Sequence, residues 1–328
     1  MASLNLLGGL TRRTQSPSAN NAKPQSNTQL FQSSTTSLTA ATQTITVNNI
    51  KNPNGYPAHN IIFDLNITDT TSTTVPSGVN AVNSAYTSFQ VIGASGRQLL
   101  NIQPNSGDPF ERLQHRLNLA NGMYNTSPTP ADSATSTTYS SDYIPIFHDW
   151  VIYPEEFPLE VKFTLNTLSS RATTLNSMTS TAQVTMYADF VPLARALPRT
   201  ILRVKPVTGI AAANFDFGTY LDAAPLIDVS VDAGADTNIS ASNSINVAVN
   251  NNALISNTAY QSVINREDYL YSGISSPHIG GFFPLNVLNG MPVLNPRAEK
   301  DTVEFNFSSQ PSASGTTGQA NLYMIEVY

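Results

Sequence analysis

The chain has 328 residues and a mass of 35.3 kDa, long enough to bury roughly 75% of its unfolded surface without small-domain staples. It contains no cysteine, which excludes disulfides, thiolate metal sites, iron-sulfur centres and cysteine nucleophiles. Charged residues are only 12% of the sequence and the net charge is -6, a balance that disfavours nonspecific nucleic-acid binding over the whole surface. Ser, Thr and Asn number 35, 35 and 33, so hydroxyls and amides must build most of the surface. Thr suits strands, whereas Ser and Asn compete with helical backbone bonds, and the composition therefore points to an all-β protein.

Residues 1–10, MASLNLLGGL, precede Arg12 and Arg13, the reverse order of a secretory signal. Leu4, Leu6, Leu7 and Leu10 can share an apolar side on contact with lipid or protein, with Arg12 and Arg13 beside them; Gly8 and Gly9 weaken a helix there in water. These six residues form the candidate inner or membrane-proximal contact. No run approaches the roughly 18 apolar residues of a membrane span. Residues 1–41 read as a flexible arm, rich in Ser, Thr, Asn and Gln, that orders only against a partner. All acidic residues lie at Asp64 or later, so residues 1–63 carry Arg12, Arg13, Lys23 and Lys51 without opposition.

From residue 42 onward, two-residue alternation recurs between turns. Ile61, Phe63, Leu65 and Ile67 face one way; Val161, Phe163 and Leu165 repeat the pattern, as do Ile227, Val229 and Val231. Further strands are predicted at Thr44–Ile50, Thr87–Ile92, Leu99–Ile102, Tyr143–Phe147, Ala182–Tyr187 and Ile201–Val207. The later ones are Ser244–Val249, Phe282–Val287, Val303–Phe307 and Leu322–Val327. One segment, GDPFERLQHRLNLANGMY at 107–124, predicts a helix: Asp108 caps it, Pro109 suits its first turn, Glu111 completes a capping box, and Phe110, Leu113 and Leu117 form its stripe. A second, weaker helix is predicted within 253–266. Residues 69–86 and 125–142 read as long polar loops.

The strand series divides near residues 193–200, where Pro192 and Pro198 interrupt any ladder and Arg195, Arg199, Arg203 and Lys205 gather positive charge. This gives a first domain at 42–195 and a second at 196–328. Each half suits a Greek-key sandwich of about seven or eight short strands, with one clear short helix in the first half.

Catalytic chemistry has little support. His59, His115, His148 and His278 give no zinc spacing; His148 and Asp149 are adjacent, which on a strand points them to opposite faces. Asp228, Asp232 and Asp236 surround a strand-to-turn transition without matching a calcium loop. No phosphate-binding glycine motif occurs, and Gly93 and Gly96 of VIGASGR satisfy turn dihedrals. No catalytic residue, metal ligand or cofactor is assigned.

The segments IIFDLNI, DPFERLQHRLNLANG, PLARALPRTI, IDVSVD, SINVAV, VEFNF and LYMIEVY, in this order across residues 42–328, resemble the organisation of double-jelly-roll major capsid proteins of tailless, internal-membrane-containing icosahedral viruses, including bacteriophages of the PRD1 and PM2 type. The resemblance implies an all-β fold of two side-by-side eight-stranded jelly rolls in one chain, and a non-enzymatic structural protein of the virion capsid shell, made in the host cytoplasm. It implies three copies in a pseudo-hexagonal capsomer, and as partners neighbouring capsomers, vertex or minor capsid proteins and the internal viral membrane, with no sequence-specific nucleic acid. The alternatives are a carbohydrate- or receptor-binding β-sandwich and a β-rich glycoside hydrolase with paired acids across a cleft.

Overall fold

The computed structural model describes residues 23–70, 85–102, 137–145, 150–170, 178–193, 197, 199–209, 215–216, 226–232, 244–249, 252–259, 282–284, 303–307 and 319–328. In the first half the strands are β1 (Gln25–Gln32), β2 (Thr36–Ser37), β3 (Gln43–Ile50), β4 (Ala58–Thr70), β5 (Tyr86–Ile92), β6 (Gln98–Ile102), β7 (Thr137–Pro145), β8 (Leu159–Leu165) and β9 (Thr179–Phe190). The second half contributes β10 (Thr200–Val207), β11 (Phe215–Asp216), β12 (Leu226–Asp232), β13 (Ser244–Val249), β14 (Asn252–Ala259), β15 (Phe282–Pro284), β16 (Val303–Phe307) and β17 (Ala320–Val327).

These strands form three sheets. A 5-stranded sheet has the order β1-β9-β4-β7 with β2 also on β9, an 8-stranded sheet runs β15-β12-β17-β10-β6-β5-β8-β3, and a 4-stranded sheet runs β11-β16-β13-β14. All pairs are antiparallel except one: β6 and β10 run parallel, with Leu100 opposite Leu202, Asn101 opposite Arg203 and Ile102 opposite Val204.

The alternation read from sequence explains the first core. Along β8, Leu159, Val161, Phe163 and Leu165 are buried while Glu160, Lys162 and Thr164 are half-exposed. On β4, Ile61, Phe63, Leu65 and Ile67 are all buried. These inward sets meet through aromatic rings: Phe63 stands edge-on to Phe89 of β5 at 4.4 Å between centroids, Phe89 stacks on Phe163 at 4.5 Å, and Phe31 of β1 lies 6.5 Å from Phe163. The Tyr86 hydroxyl reaches from the 8-stranded sheet to donate to the carbonyls of Asn66 and Gln183 at 3.3 and 3.4 Å.

Three asparagines break the ladders at defined places. Asn27, Asn49 and Asn60 have φ of 50°, 57° and 49°, and each falls within a register shift, in β1, β3 and β4 respectively. Asn is the residue besides glycine that most readily accepts this left-handed conformation, so it supplies the extra residue of a bulge at small cost.

The structure corrects the expected fold class. Instead of two separate eight-stranded sets, the strands are distributed as sheets of 5, 8 and 4, and the largest sheet passes through both halves. Parallel pairing of β6 with β10 gives each of these strands a neighbour on a side that would otherwise be an unpaired sheet edge. Among the described residues there is no α-helix, only 3-10 turns at Pro154–Glu156 and Leu168–Ser170. The helix predicted at 107–124 lies outside the described residues. The second helix, within 253–266, is overturned over its described part: β14 ends at Ala259 and pairs with β13 in a hairpin that places Val249 opposite Asn252. The intervening Asn-Asn is a residue type that tight hairpin turns favour. Residues 137–142, read as loop, form most of β7, whose Thr and Tyr residues pair backbone to backbone with Leu65–Thr70 of β4.

Candidate functional site: the seam between the two halves

Among the described residues no group of three His, Asp or Glu side chains is placed to hold a metal ion. The densest constellation of charged and aromatic side chains instead lies where the two halves meet, around Glu156. This residue ends the 3-10 turn Pro154–Glu156, and its carboxylate is buried, 4% exposed.

Three segments converge on it. Tyr328 donates its hydroxyl to Glu156 Oε1 at 3.0 Å, Arg97 Nη1 lies 3.8 Å and Arg199 Nη1 3.6 Å from the same oxygen, and Arg199 also pairs with Glu155. Arg97 sits over the Tyr328 ring at 4.2 Å and Arg199 over the Tyr153 ring at 4.9 Å, so each guanidinium is sandwiched by attraction to a carboxylate and to an aromatic face. Burial, followed by the Glu156 charge and its acceptance of the hydroxyl proton, pushes Tyr328 up to about 12. The phenol therefore remains a donor at neutral pH.

Backbone bonds fix the same junction. Ala94 N–H donates to the Glu156 carbonyl at 2.7 Å, Gly93 N–H to the Arg97 carbonyl at 2.8 Å, and Tyr328 N–H to the Arg199 carbonyl at 3.0 Å. Trp150, fully buried, donates its indole N–H to the Thr200 carbonyl at 3.2 Å, and the Tyr153 hydroxyl donates to the Leu197 carbonyl at 2.7 Å. Across β10 and β17, Arg203 approaches Glu326 at 3.6 Å. Leu202 and Val204 of β10 join the same apolar cluster as the first-half core.

Gly96 has φ +79° and meets the turn requirement read from sequence. Gly93 serves a different purpose: a Cβ there would lie 2.5 Å from Glu156 Oε2, so only glycine lets the turn close against the buried carboxylate. The amides around VIGASGR bond to carbonyls rather than forming an anion nest.

Of the residues singled out by sequence, Arg199 and Arg203 are brought into the seam, whereas Arg195 lies outside the described residues. Leu4, Leu6, Leu7, Leu10, Arg12 and Arg13 also lie outside them, as do His115, His148, His278 and Asp236. His59 is half-buried on β4, and Asp228 and Asp232 both lie on β12. Sequence reasoning missed Glu156 and Tyr328. The adjacent acidic pair Glu155–Glu156 between Pro154 and Pro158 was the available signal, since a strand-poor, Pro-bounded turn is where a buried carboxylate can be presented.

Within the segment read as an arm, residues 25–32 lie along β9, and the start of this strand is held by side chains. Asp189 accepts from the Ser26 hydroxyl at 2.8 Å, the Asn27 N–H at 2.6 Å and the Asn60 amide at 2.8 Å. Burial works to raise the Asp189 carboxyl, but these hydrogen bonds and the nearby His59 outweigh it and hold it below its ordinary 3.8.

No protein-family model matches the chain, and no curated protein matches it. Solved structures do. The first is the crystal structure of the STIV MCP, with a TM-score of 0.57 at 11% identity over 89% of this chain and 96% of the other. A second, the atomic structure of Sulfolobus Turreted Icosahedral Virus, gives 0.55 at 11% identity over 90% of each chain. The chain has the double jelly-roll fold of viral major capsid proteins. The major capsid protein P2 from Bacteriophage PM2 aligns over 91% of this chain and 98% of its own, at 11% identity and a TM-score of 0.47. With identities this low, the likeness is one of fold.

Proposed function

We propose that the protein is a major capsid protein that builds the shell of an icosahedral virion, and that three copies associate into a pseudo-hexagonal capsomer. The observation that carries this reading is the 8-stranded sheet that runs through both halves, its seam braced by Glu156, Arg97, Arg199 and Tyr328. A wall tile needs two lobes held at a fixed angle, because repeated lateral contacts close into a symmetric shell only when every copy presents the same faces. The double jelly-roll fold supports the same reading. Sparse charge limits repulsion between closely spaced copies, and abundant hydroxyls and amides suit wet lateral interfaces.

In this proposal the lobes are residues 42–195 and 196–328, with β1 and β2 of the arm laid along β9 of the first, and residues 1–41 make inner or inter-capsomer contacts through the part ahead of β1. Leu4, Leu6, Leu7, Leu10, Arg12 and Arg13 face protein or the internal membrane, vertex and minor capsid proteins join at the shell's special positions, and no catalysis is involved. The test is native mass and symmetry of the purified protein and its particles. A trimer that assembles into shells is expected. A monomer that binds glycans through an aromatic-polar patch would overturn the reading in favour of the carbohydrate-binding alternative. Comparing the full chain with one beginning at residue 23, which keeps β1, β2 and the core residues Phe31 and Leu38, in assembly and liposome flotation, tests the contact role of the arm; equal behaviour would remove it.

A further inference from the structure

The start of the folded body is built with unusual care for an edge strand. β1 is a largely exposed strand with the sequence QSNTQLFQ, and two register shifts interrupt its pairing with β9. An edge strand with so few ladder bonds and one buried ring, Phe31, is poorly held by its own pairing. Its hold comes from side chains of the strands and turn beside it. Asp189 on β9 gathers three donors: the Ser26 hydroxyl and the Asn27 N–H from β1, and the Asn60 amide from β4. Both β1 and β4 bulge here, at left-handed Asn27 and Asn60, and the bulges turn these groups towards one carboxylate. Just before β1, the Asn54 amide donates to the Lys23 carbonyl at 3.0 Å and to the Phe190 carbonyl at 3.2 Å, so the turn Asn52–Tyr56 clamps the entry of β1 and the exit of β9 together.

We propose that Asp189 is the positioning residue that anchors the amino-terminal strand, fixing the place at which residues 1–22 join the folded body. Further along, the hold changes character. Ser33 N–H donates to the Val184 carbonyl and Leu38 N–H to the Ser180 carbonyl, both at 2.8 Å, and the Ser33 hydroxyl accepts from Val184 N–H at 3.0 Å. The anchor acts on the bulged start of the ladder, residues 25–30, whereas residues 33–38 are bonded to β9 beyond the two register shifts. The role of the joined residues rests on the capsid reading, but the anchor is measured on the isolated protein, so failure of one is distinguishable from failure of the other.

The experiment is backbone amide exchange of the full chain at neutral pH, wild type against Asp189→Ala, which removes both acceptor oxygens, and Asn60→Gly, the second chosen because glycine keeps the left-handed backbone while removing the amide. Both variants are expected to speed exchange across residues 25–30 by about tenfold or more and to expose a protease site before Phe31. Exchange at Ser33, Leu38 and the β4–β9 ladder is expected to stay as in the wild type. Unchanged exchange at residues 25–30 in both variants would overturn the proposal. So would equal acceleration across β1, Ser33, Leu38 and β4, because Asp189 would then be a general support of the sheet. Asp189→Glu, which retains the acceptor, is expected to restore a substantial part of the protection.

Discussion

At Gly93 a single methyl group decides whether a turn can close. The added Cβ would meet the Glu156 carboxylate at 2.5 Å and the Glu156 carbonyl at 3.4 Å; the first partner is held by Tyr328 and two arginines, so it has little freedom to retreat. Gly93→Ala is expected to cost about 1–3 kcal/mol in urea unfolding, as overpacking does elsewhere. Gly96→Ala, with open space around it but φ +79°, is expected to cost nearer 1 kcal/mol through backbone strain alone. Tyr328 offers a second test at this scale. Its folded pKa is raised from 10.0 to about 12, so the folded state holds the proton more tightly than the unfolded chain. Its contribution is full below about pH 10 and is lost as pH rises towards 12. A melting-temperature profile should fall over that window in the wild type, and Tyr328→Phe should be less stable at pH 8 and flatter above pH 10. Equal slopes for the two proteins would detach Tyr328 from Glu156.

Among the elements, the strands with strict alternation were legible: β3, β4, β5, β6, β8, β10, β12, β13, β16 and β17 all cover the segments where apolar residues recur every second position. What escaped was pairing without an apolar face. β1 and residues 137–142 of β7 are rich in Gln, Ser and Thr, and their signal lies in partners far along the chain: β1 on β9, β7 on β4. The stretch ALISNTAY mixes enough apolar residues to mimic a weak helix, but Ile255 finds Val247 across a hairpin, and that long-lived pairing overrides local pattern. The seam cluster was half legible. Positive charge at Arg199 and Arg203 stood out, while the carboxylates that answer it, Glu156 and Glu326, come from 40 or more positions away in sequence and needed the topology to find them. The β1 anchor makes an element-scale prediction in acid. Asp189 titrates below its ordinary 3.8 in the folded state, so its hold is complete above that value and weakens as pH falls beneath it. His59 on β4 is the titratable group that bears on it, and β1 itself contributes no charge. Proteolysis ahead of Phe31 should therefore rise below about pH 3.8 in the wild type, and Asp189→Ala, which has no acceptor oxygen, should be cleaved readily at every pH. A wild type with no acid dependence at this site would show that the other contacts suffice.

For the whole molecule, the question is whether two sandwiches joined by one sheet behave as one folding unit. Two lobes with weak contact unfold separately, and chains of this length commonly do so. Here the coupling is spread over the parallel β6–β10 ladder, the reach of Leu202 and Val204 into the first-half core, the Trp150 and Tyr153 bonds to residues 200 and 197, and the Glu156 cluster. Removing Leu202 to alanine alone should cost about 2–5 kcal/mol, and Glu156→Ala leaves Arg97 and Arg199 facing one another without their shared carboxylate. Because the protein has one tryptophan and Trp150 lies at the seam, its fluorescence reports on the joint while far-ultraviolet circular dichroism reports on all strands. Wild-type urea curves from the two probes should coincide, the signature of a single cooperative transition. In the Leu202→Ala, Glu156→Ala double variant the fluorescence midpoint should fall well below the dichroism midpoint, because the seam opens before the outlying strands melt. Non-coincident curves in the wild type would mean that the lobes already move independently, and a tile of fixed angle could not be built from them.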